Sequence, residues 1–148
     1  MKKISVLFLL LFTFFSVQSQ TKYETEKWLA EKLFAYSYVT PLSEMQVEEV
    51  DVCNCEILVK IDVWVENQRY HGLETIPISS VLLYTKWYMG IDDVYQFRGN
   101  IKWTWRPASE YNCSTSNFLL KDVPDDMLER IQKALEYYRK LCGVNEPF

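Results

Sequence analysis

The C-terminal stretch Pro124–Gly143 carries an apolar stripe with the spacing of an α-helix. Its apolar residues recur at steps of three and four positions: Met127, Leu128, Ile131, Ala134, Leu135, Tyr138, Leu141 and Cys142. Such a stripe has to be buried against another element. Asp125 and Asp126 suit the first turn, Asp126 and Glu129 have the spacing of a capping box, and Gly143 is a typical helix stop. We therefore predict an amphipathic helix that packs on the rest of the chain.

A second helix is predicted near the N-terminus, from about Lys22 to Tyr36. Its apolar positions also recur at helical spacing: Trp28, Leu29, Leu33 and Tyr36. Thr21 and Glu24 are spaced as a capping box, and Pro41 prevents the helix from continuing. This segment therefore begins the ordered part of the chain.

Between the two helices the pattern changes to the period of two that is typical of β-strands. The apolar face of the longest run is formed by alternate residues: Ile57, Val59, Ile61, Val63 and Val65. An earlier and less regular strand is indicated by Val47, Val50 and Val52. A tight turn near Asp51–Asn54 is expected to join the two strands.

The stretch from Val94 to Arg106 is predicted to be a hairpin. A two-residue loop at Gly99 and Asn100 would split the apolar side chains between two faces, whereas a three-residue loop, Arg98–Asn100, gathers them on one. That single face comprises Tyr95, Phe97, Ile101, Trp103 and Trp105.

Loops and short strands are expected to alternate over the remaining stretches. The expected loops are Asn67–Gly72, Gly90–Asp93 and Pro107–Ser114. The expected strands are Thr75–Ser79, Val81–Met89 and Ser116–Lys121. Pro77 has no N–H, which restricts the first of these strands to a sheet edge or Pro77 to the first position of a strand. The sequence thus predicts an α+β fold with an N-terminal helix, about seven antiparallel strands in a meander, and a C-terminal amphipathic helix.

This order of elements, from Glu44 to Leu141, resembles that of the pleckstrin-homology-like (PH-like) barrels, in which a C-terminal helix plugs two bent sheets. PH-like proteins that bind phosphoinositides carry basic residues in the first hairpin loop. The matching turn here, Val50–Asn54, is flanked by acidic residues: Glu48, Glu49 and Glu56. Other PH-like proteins bind an extended peptide as an added strand beside the C-terminal helix, and this mode is compatible with the sequence.

The chain also resembles small exported bacterial proteins of unknown function. The similarity lies in the helix EKWLAEKL, the segment IPISSV and the tail from Glu129 to Phe148, ERIQKAL followed by LCG and EPF. This resemblance covers most of the chain after residue 19 and implies export, but it implies no particular activity.

The first 19 residues have the pattern of an export signal. Lys2 and Lys3 precede an apolar run from Ile4 to Phe15, and Val17 and Ser19 are the small residues that signal peptidase requires. We predict cleavage after Ser19, which leaves a single domain over residues 20–148 in the periplasm, at the cell surface or outside the cell. The alternative is a retained anchor helix, but the run is shorter than the roughly 20 residues of a bilayer span.

Charge limits the partners that the exported chain is expected to bind. Loss of Lys2 and Lys3 leaves 14 basic and 20 acidic side chains, and the basic ones are scattered. Nucleic acids and anionic membranes both require a clustered basic face. We therefore expect a monomer with a protein or peptide partner, no nucleic acid, and no membrane association after cleavage.

The four cysteines, Cys53, Cys55, Cys113 and Cys142, are candidates for disulfide bonds. An even number in an exported chain favours disulfides, and Cys53 and Cys55 are too close in sequence to pair without strain. At least one of these two is therefore expected to bridge to Cys113 or Cys142, and a bridge from Cys142 would tie the helix end to the sheet. The alternatives are buried free thiols and a four-thiolate zinc site, although the spacing lacks paired CxxC motifs.

Catalytic motifs are not evident in the sequence. His71 is the single histidine and lies in a stretch interpreted as a polar loop, so an exposed imidazole without a role is expected. The acidic pairs Asp92–Asp93 and Asp125–Asp126 are interpreted as a turn and a helix start. With no phosphate loop, nucleophile elbow or metal-binding histidine pair, we expect a protein that is not an enzyme and has no cofactor or metal.

The tryptophans are the remaining candidates for binding. Trp103 and Trp105 share a face with Ile101 and are expected in the core, whereas Trp64 and Trp87 are the candidate partner contacts. The first functional hypothesis is a non-catalytic protein or peptide interaction module with a groove between the C-terminal helix and Val94–Arg98. The alternative is a binder of small ligands or glycans that uses the strand aromatics.

Overall fold

The structure is a computed structural model that describes residues 21–39, 44–65, 68–88, 90–106 and 109–144. The predicted export signal, residues 1–19, lies outside this part of the chain. Two helices and seven strands follow in order: α1 Lys22–Ala35, β1 Ser37–Val39, β2 Glu44–Cys53, β3 Glu56–Val65, β4 Gln68–Pro77, β5 Val81–Tyr88, β6 Ile91–Arg106, β7 Ser109–Lys121 and α2 Asp125–Leu141.

The seven strands form one antiparallel sheet that curls into a nearly closed, barrel-like shape. Its strand order is β1-β7-β6-β4-β3-β2, and β5 pairs with β6 outside this path. The predicted α+β class, with a helix at each end of an antiparallel sheet, is therefore confirmed. The strands β2 and β3 are joined by a turn at Asn54 and Cys55, slightly later than predicted, and both residues have a positive φ, as type I′ hairpins require.

The ends of both helices show why they form where they do. In α1 the predicted capping box is confirmed, because Glu24 N–H donates to Thr21 Oγ1 at 3.2 Å and Thr21 N–H donates to Glu24 Oε2 at 2.8 Å. The capping box predicted for α2 is wrong, since Pro124 is the N-cap residue and has no side-chain donor or acceptor to offer. The predicted stop is confirmed: Gly143 has a φ of +77°, and Val144 N–H folds back to the carbonyl of Arg139 at 3.0 Å.

The predicted hairpin over Val94–Arg106 is wrong, because β6 is one continuous strand of 16 residues. Its first half pairs with β5 and its second half with β4, while β7 lies along the other side of both halves. The change of partner falls near Gly99, where a Cβ atom would lie 2.3 Å from Ser80 Oγ. The predicted apolar face is nevertheless confirmed, because alternate residues of one continuous strand through Gly99 also lie on one face. Phe97, Ile101 and Trp103 are buried, and Tyr95 and Trp105 are partly buried against the core.

Further expectations about strands are corrected by the structure. The described part of the expected loop Asn67–Gly72 belongs to β4, which lies between β3 and β6. Pro77 is the last residue of β4, beyond the part paired with β6, and is paired with Glu56 of β3. The described part of the expected loop Pro107–Ser114 belongs to β7 from Ser109 onward, and β1 was not expected. These polar stretches form strands because neighbouring strands satisfy their backbone groups, an effect that local composition does not reveal.

A buried polar network holds the sheet together where β6 and β7 lose their regular register. β7 bulges around Ser116–Phe118, so its N–H groups lack the usual ladder partners there. The fully buried Glu74 of β4 accepts the N–H groups of Asn117 at 3.0 Å and Phe118 at 3.1 Å, and also the indole N–H of Trp103 at 3.1 Å. Gln96 adds a bond from its amide to the Ser116 carbonyl at 2.6 Å. This network explains how an acidic side chain can occupy the centre of the sheet.

Candidate functional site

One face of α1 is not used by the core. The buried stripe of the helix contains Leu29 and Leu33, which are inaccessible to solvent. A second stripe, displaced around the helix, faces a groove: Tyr23, Glu26, Lys27, Ala30, Glu31 and Phe34. The aromatic side chains at its two ends are 72% and 47% exposed. The helix therefore has one stripe of side chains that is buried in the core and a second stripe that is available to contact a ligand.

The opposite wall of the groove is the C-terminal half of β2, from Glu48 to Cys53. Alternation along the strand buries Val50 and Val52 against the core and turns Glu49 and Asp51 outward. β2 is the last strand in the sheet order, and among the described strands only β3 is paired with it. The groove consequently lies beside a sheet edge.

The groove is large, apolar inside and acidic at its rim. Its volume is about 670 Å³, and five of its lining residues are acidic: Glu26, Glu31, Glu48, Glu49 and Asp51. Lys27 is the single basic residue in that described lining. Some of the carboxylates have partners on the protein, because Glu49 pairs with Lys60 and Glu48 with Arg69. The lining itself nevertheless carries a clear excess of negative charge.

A covalent and hydrogen-bonded junction fixes one end of this region. Cys55 and Cys142 form a disulfide that ties the β2–β3 turn to the end of α2, which is one of the pairings that the sequence left open. Next to it, the hydroxyl of Tyr138 donates to Glu26 Oε1 at 2.5 Å and accepts the N–H of Cys55 at 3.1 Å. Burial and this bond to Glu26 raise the pKa of Tyr138, which keeps its hydroxyl protonated as a donor.

The other two candidate disulfide cysteines, Cys53 and Cys113, are free thiols in the structure. Cys53 lines the groove, and burial together with the nearby charge of Asp51 raises its pKa. Burial also raises the pKa of Cys113, whose thiol donates to the carbonyl of Ile101 at 3.6 Å. The cysteines thus divide into one bridge and two separate thiols.

The two candidate contact tryptophans are both on the surface, but they lie apart from the groove. Trp64 near the end of β3 is 49% exposed, and Trp87 on β5 is 65% exposed. Their strands are not neighbours in the sheet, so the two side chains do not belong to one paired surface. Trp103 is fully buried and Trp105 partly so, in agreement with their predicted place in the core.

The groove expected between the C-terminal helix and Val94–Arg98 has no open strand edge in the structure. That part of β6 is paired with β5 on one side and with β7 on the other. The expected open edge is therefore absent at this part of β6. The groove between α1 and β2 is indicated in the sequence by the second stripe of α1, with Tyr23, Lys27, Ala30 and Phe34 at helical spacing.

A cluster of charged side chains lies on the outer face of β2, β3 and β4. His71 is part of β4 and not of a loop, and its Nδ1 lies 2.6 Å from Asp62 Oδ1, while Arg69 pairs with both Asp62 and Glu48. Burial opposes ionisation of Asp62, but hydrogen bonds within the cluster, including those from Arg69 and His71, keep its pKa low. Glu48, Asp62 and His71 have possible metal-ligand atoms within 4.8 Å of one another. Arg69 already supplies a cation to both carboxylates.

No protein-family model, curated protein or solved structure matches the chain. Among the described residues, no helix combines the length and the apolar content that a membrane span requires.

Proposed function

We propose that the chain is an exported, non-catalytic interaction module that binds an extended protein segment in the groove between α1 and β2. The observation that carries this proposal is an apolar groove with an acidic rim beside a sheet edge. Such a groove suits a segment with apolar side chains that point inward and lysine or arginine side chains that reach the carboxylates.

The dimensions of the groove support a short extended ligand. Tyr23 and Phe34 are eleven residues apart on one helix, which corresponds to about 16 Å. An extended chain advances roughly 3.3 Å per residue, so about five residues span the groove. The two exposed aromatic rings at its ends can act as anchors, because aromatic side chains often carry most of the binding energy of an interface.

Two further observations support export and the absence of catalysis. The Cys55–Cys142 disulfide is typical of proteins that fold in an oxidising compartment. The strongest potential nucleophile of the groove is Cys53, and its raised pKa keeps it in the unreactive thiol form.

A small-ligand or glycan binder is the second candidate, and one observation favours it. Trp64 is exposed on the same face of β3 as Lys60, which lines a cleft of about 310 Å³ together with His71 and Leu73. An exposed indole next to polar side chains can stack on a sugar ring. The smaller cleft and the ion pairs that already occupy this face make it the weaker candidate.

The proposal is tested by selecting ligands from a random heptapeptide library displayed on phage, with residues 20–148 as the target. We expect the enriched peptides to combine apolar residues with lysine or arginine. Ala30→Arg should reduce their binding at least tenfold, because it places bulk and positive charge inside the groove. Ala35→Arg is the matched control, since Ala35 is exposed on the same helix and does not line the groove.

Enriched peptides without basic residues, or equal binding by both arginine variants, would contradict the proposed groove. A library that enriches nothing, together with glycan-array binding that is lost in Trp64→Ala, would favour the second candidate instead.

A further inference from the structure

β5 has an unpaired edge with large apolar side chains on both of its faces. β6 is its single paired neighbour among the strands that the structure describes. Leu83 and Trp87 are exposed on one face, and Tyr84 is exposed on the other. Edge strands of soluble proteins normally avoid such residues, because an open apolar edge pairs readily with another strand. Lys86 is the one charged residue within this strand.

The sequence of β5 is complementary to a second copy of itself. When a two-fold axis normal to the sheet relates two antiparallel copies of β5, the same face of each strand lies on the same side of the sheet. The axis then lies between two copies of one residue, which are directly opposite each other. Centred on Thr85, this pairing places Leu83 opposite the partner subunit's Trp87, and the symmetry repeats the contact. Each such pair joins an aliphatic and an aromatic side chain, a favourable combination across antiparallel strands.

The opposite face of β5 is complementary in charge at the same register. Tyr84 lies opposite the partner subunit's Lys86, and the Tyr84 hydroxyl is hydrogen-bonded to the carboxylate of Asp93. The ammonium group of the partner subunit's Lys86 therefore lies near both the aromatic ring of Tyr84 and the carboxylate of Asp93. Centring the axis on Lys86 would instead place two lysines face to face, and centring it on Tyr84 would place Lys86 against the buried Leu82.

We infer that two copies of the chain form a symmetric dimer by antiparallel pairing of β5 centred on Thr85. This inference replaces the sequence-based expectation of a monomer and does not depend on the proposed function. The residues that line the groove are on α1 and β2, so pairing through β5 leaves both grooves unoccupied. A dimer would present two such grooves, and a partner with two suitable segments would bind with increased avidity.

The dimer is tested by sedimentation velocity of residues 20–148 from about 1 to about 200 μM, a range in which a moderately stable dimer changes population. The wild type should shift towards twice the monomer mass as concentration rises. Leu83→Lys with Trp87→Lys should abolish the shift. Both side chains are exposed, so the melting temperature of this variant should stay close to that of the wild type, which shows that it folds.

The register is tested by cysteine crosslinking in a Cys53→Ser, Cys113→Ser background. Thr85→Cys should form a covalent dimer under mild oxidation, because residues opposite each other have Cβ atoms about 5 Å apart. Leu83→Cys should not form a covalent dimer, because the substituted residues of the two copies lie four strand positions apart, or about 13 Å. A wild type that stays monomeric throughout, or a dimer that the lysine variant leaves intact, would overturn the inference. Crosslinking at Leu83→Cys and not at Thr85→Cys would overturn the register.

Discussion

At the scale of a single residue, Glu74 is the buried acid whose hydrogen bonds hold part of the sheet together. It lies at zero solvent exposure and accepts three N–H groups, two of them from the bulge of β7. Burial raises the pKa of Glu74 to about 8, although these hydrogen bonds favour the charged form. The carboxyl group therefore changes its charge close to neutral pH.

We predict that the stability of the fold decreases as pH rises from about 4.5 to about 8. The folded-state pKa of Glu74 is higher than its usual value of 4.5, so the folded chain holds a proton that the unfolded chain has released. The contribution of Glu74 to the free energy of unfolding is complete below pH 4.5. Between pH 4.5 and about 8 it falls by up to about 1.4 kcal/mol per pH unit. Urea denaturation at pH 5, 6, 7 and 8 measures this slope.

Glu74→Gln isolates the contribution of this residue. The variant should lose most of the slope, and it should be less stable at pH 5 by about 1–3 kcal/mol, because its amide NH₂ faces the N–H of Phe118. Glu110→Gln removes an exposed carboxylate on β7 and should retain the wild-type slope. Equal slopes in the wild type and Glu74→Gln would show that Glu74 does not control the pH dependence.

At the scale of the elements, the Cys55–Cys142 disulfide joins the β2–β3 turn to the end of α2 across 87 positions of sequence. A bridge across so long a loop restricts the unfolded chain strongly. We predict that Cys55→Ser with Cys142→Ser lowers the free energy of unfolding by about 4–5 kcal/mol. Guanidinium denaturation of the variant and of the wild type, with and without reductant, measures the loss.

The free cysteines provide the matched control for this prediction. Cys53→Ser with Cys113→Ser makes the same chemical change at two partly buried thiols and should cost less than about 2 kcal/mol in total. Alkylation of the unfolded, unreduced wild type should modify two thiols per chain. A chain that resists alkylation completely, or equal losses in the two double variants, would contradict the disulfide assignment.

Periodicity predicted the elements well wherever the pattern was long and regular. Ile57, Val59, Ile61 and Val63 are buried on one face of β3 as expected, and the two helices begin and end close to the predicted residues. The errors fall on β6 and its neighbours. Gly99 was interpreted as a turn, but it permits close packing against Ser80 within one strand. Local sequence does not distinguish these two uses of glycine.

The candidate site was predicted less well than the fold, for a related reason. Trp64 and Trp87 are exposed, which agrees with a contact role but does not establish one. The second stripe of α1 indicates one wall of the groove in the sequence, but nothing in the sequence shows that β2 forms the opposite wall, because the two elements meet only in the folded chain. His71 lacked a visible partner in the sequence since Asp62 faces it across a strand pair.

At the scale of the whole molecule, the groove concentrates part of a scattered negative charge. The chain as a whole has a formal charge of −4, and the groove lining combines five acidic residues with Lys27. Such a local field accelerates the approach of a cationic segment more than it strengthens the final complex. The rate of association is therefore the quantity that should respond to charge.

We predict that Glu31→Lys with Asp51→Lys slows association of a library-selected basic heptapeptide by roughly tenfold at low salt. Both residues are exposed and line the groove, so the change removes the excess of negative charge in the lining without removing a buried contact. Stopped-flow fluorescence with a labelled peptide, at rising salt concentration, measures the rate. The difference from the wild type should shrink as salt screens the charges.

Glu110→Lys with Glu129→Lys makes the same change in net charge at residues outside the groove lining. This variant should associate at closer to the wild-type rate, because the changed charges lie outside the groove lining and Coulomb interactions weaken with distance. If both variants slowed association equally, net charge would explain the effect and the groove would lose its special role. If only the groove variant is slow, the acidic rim acts locally, which is the property that distinguishes a binding groove from an acidic surface.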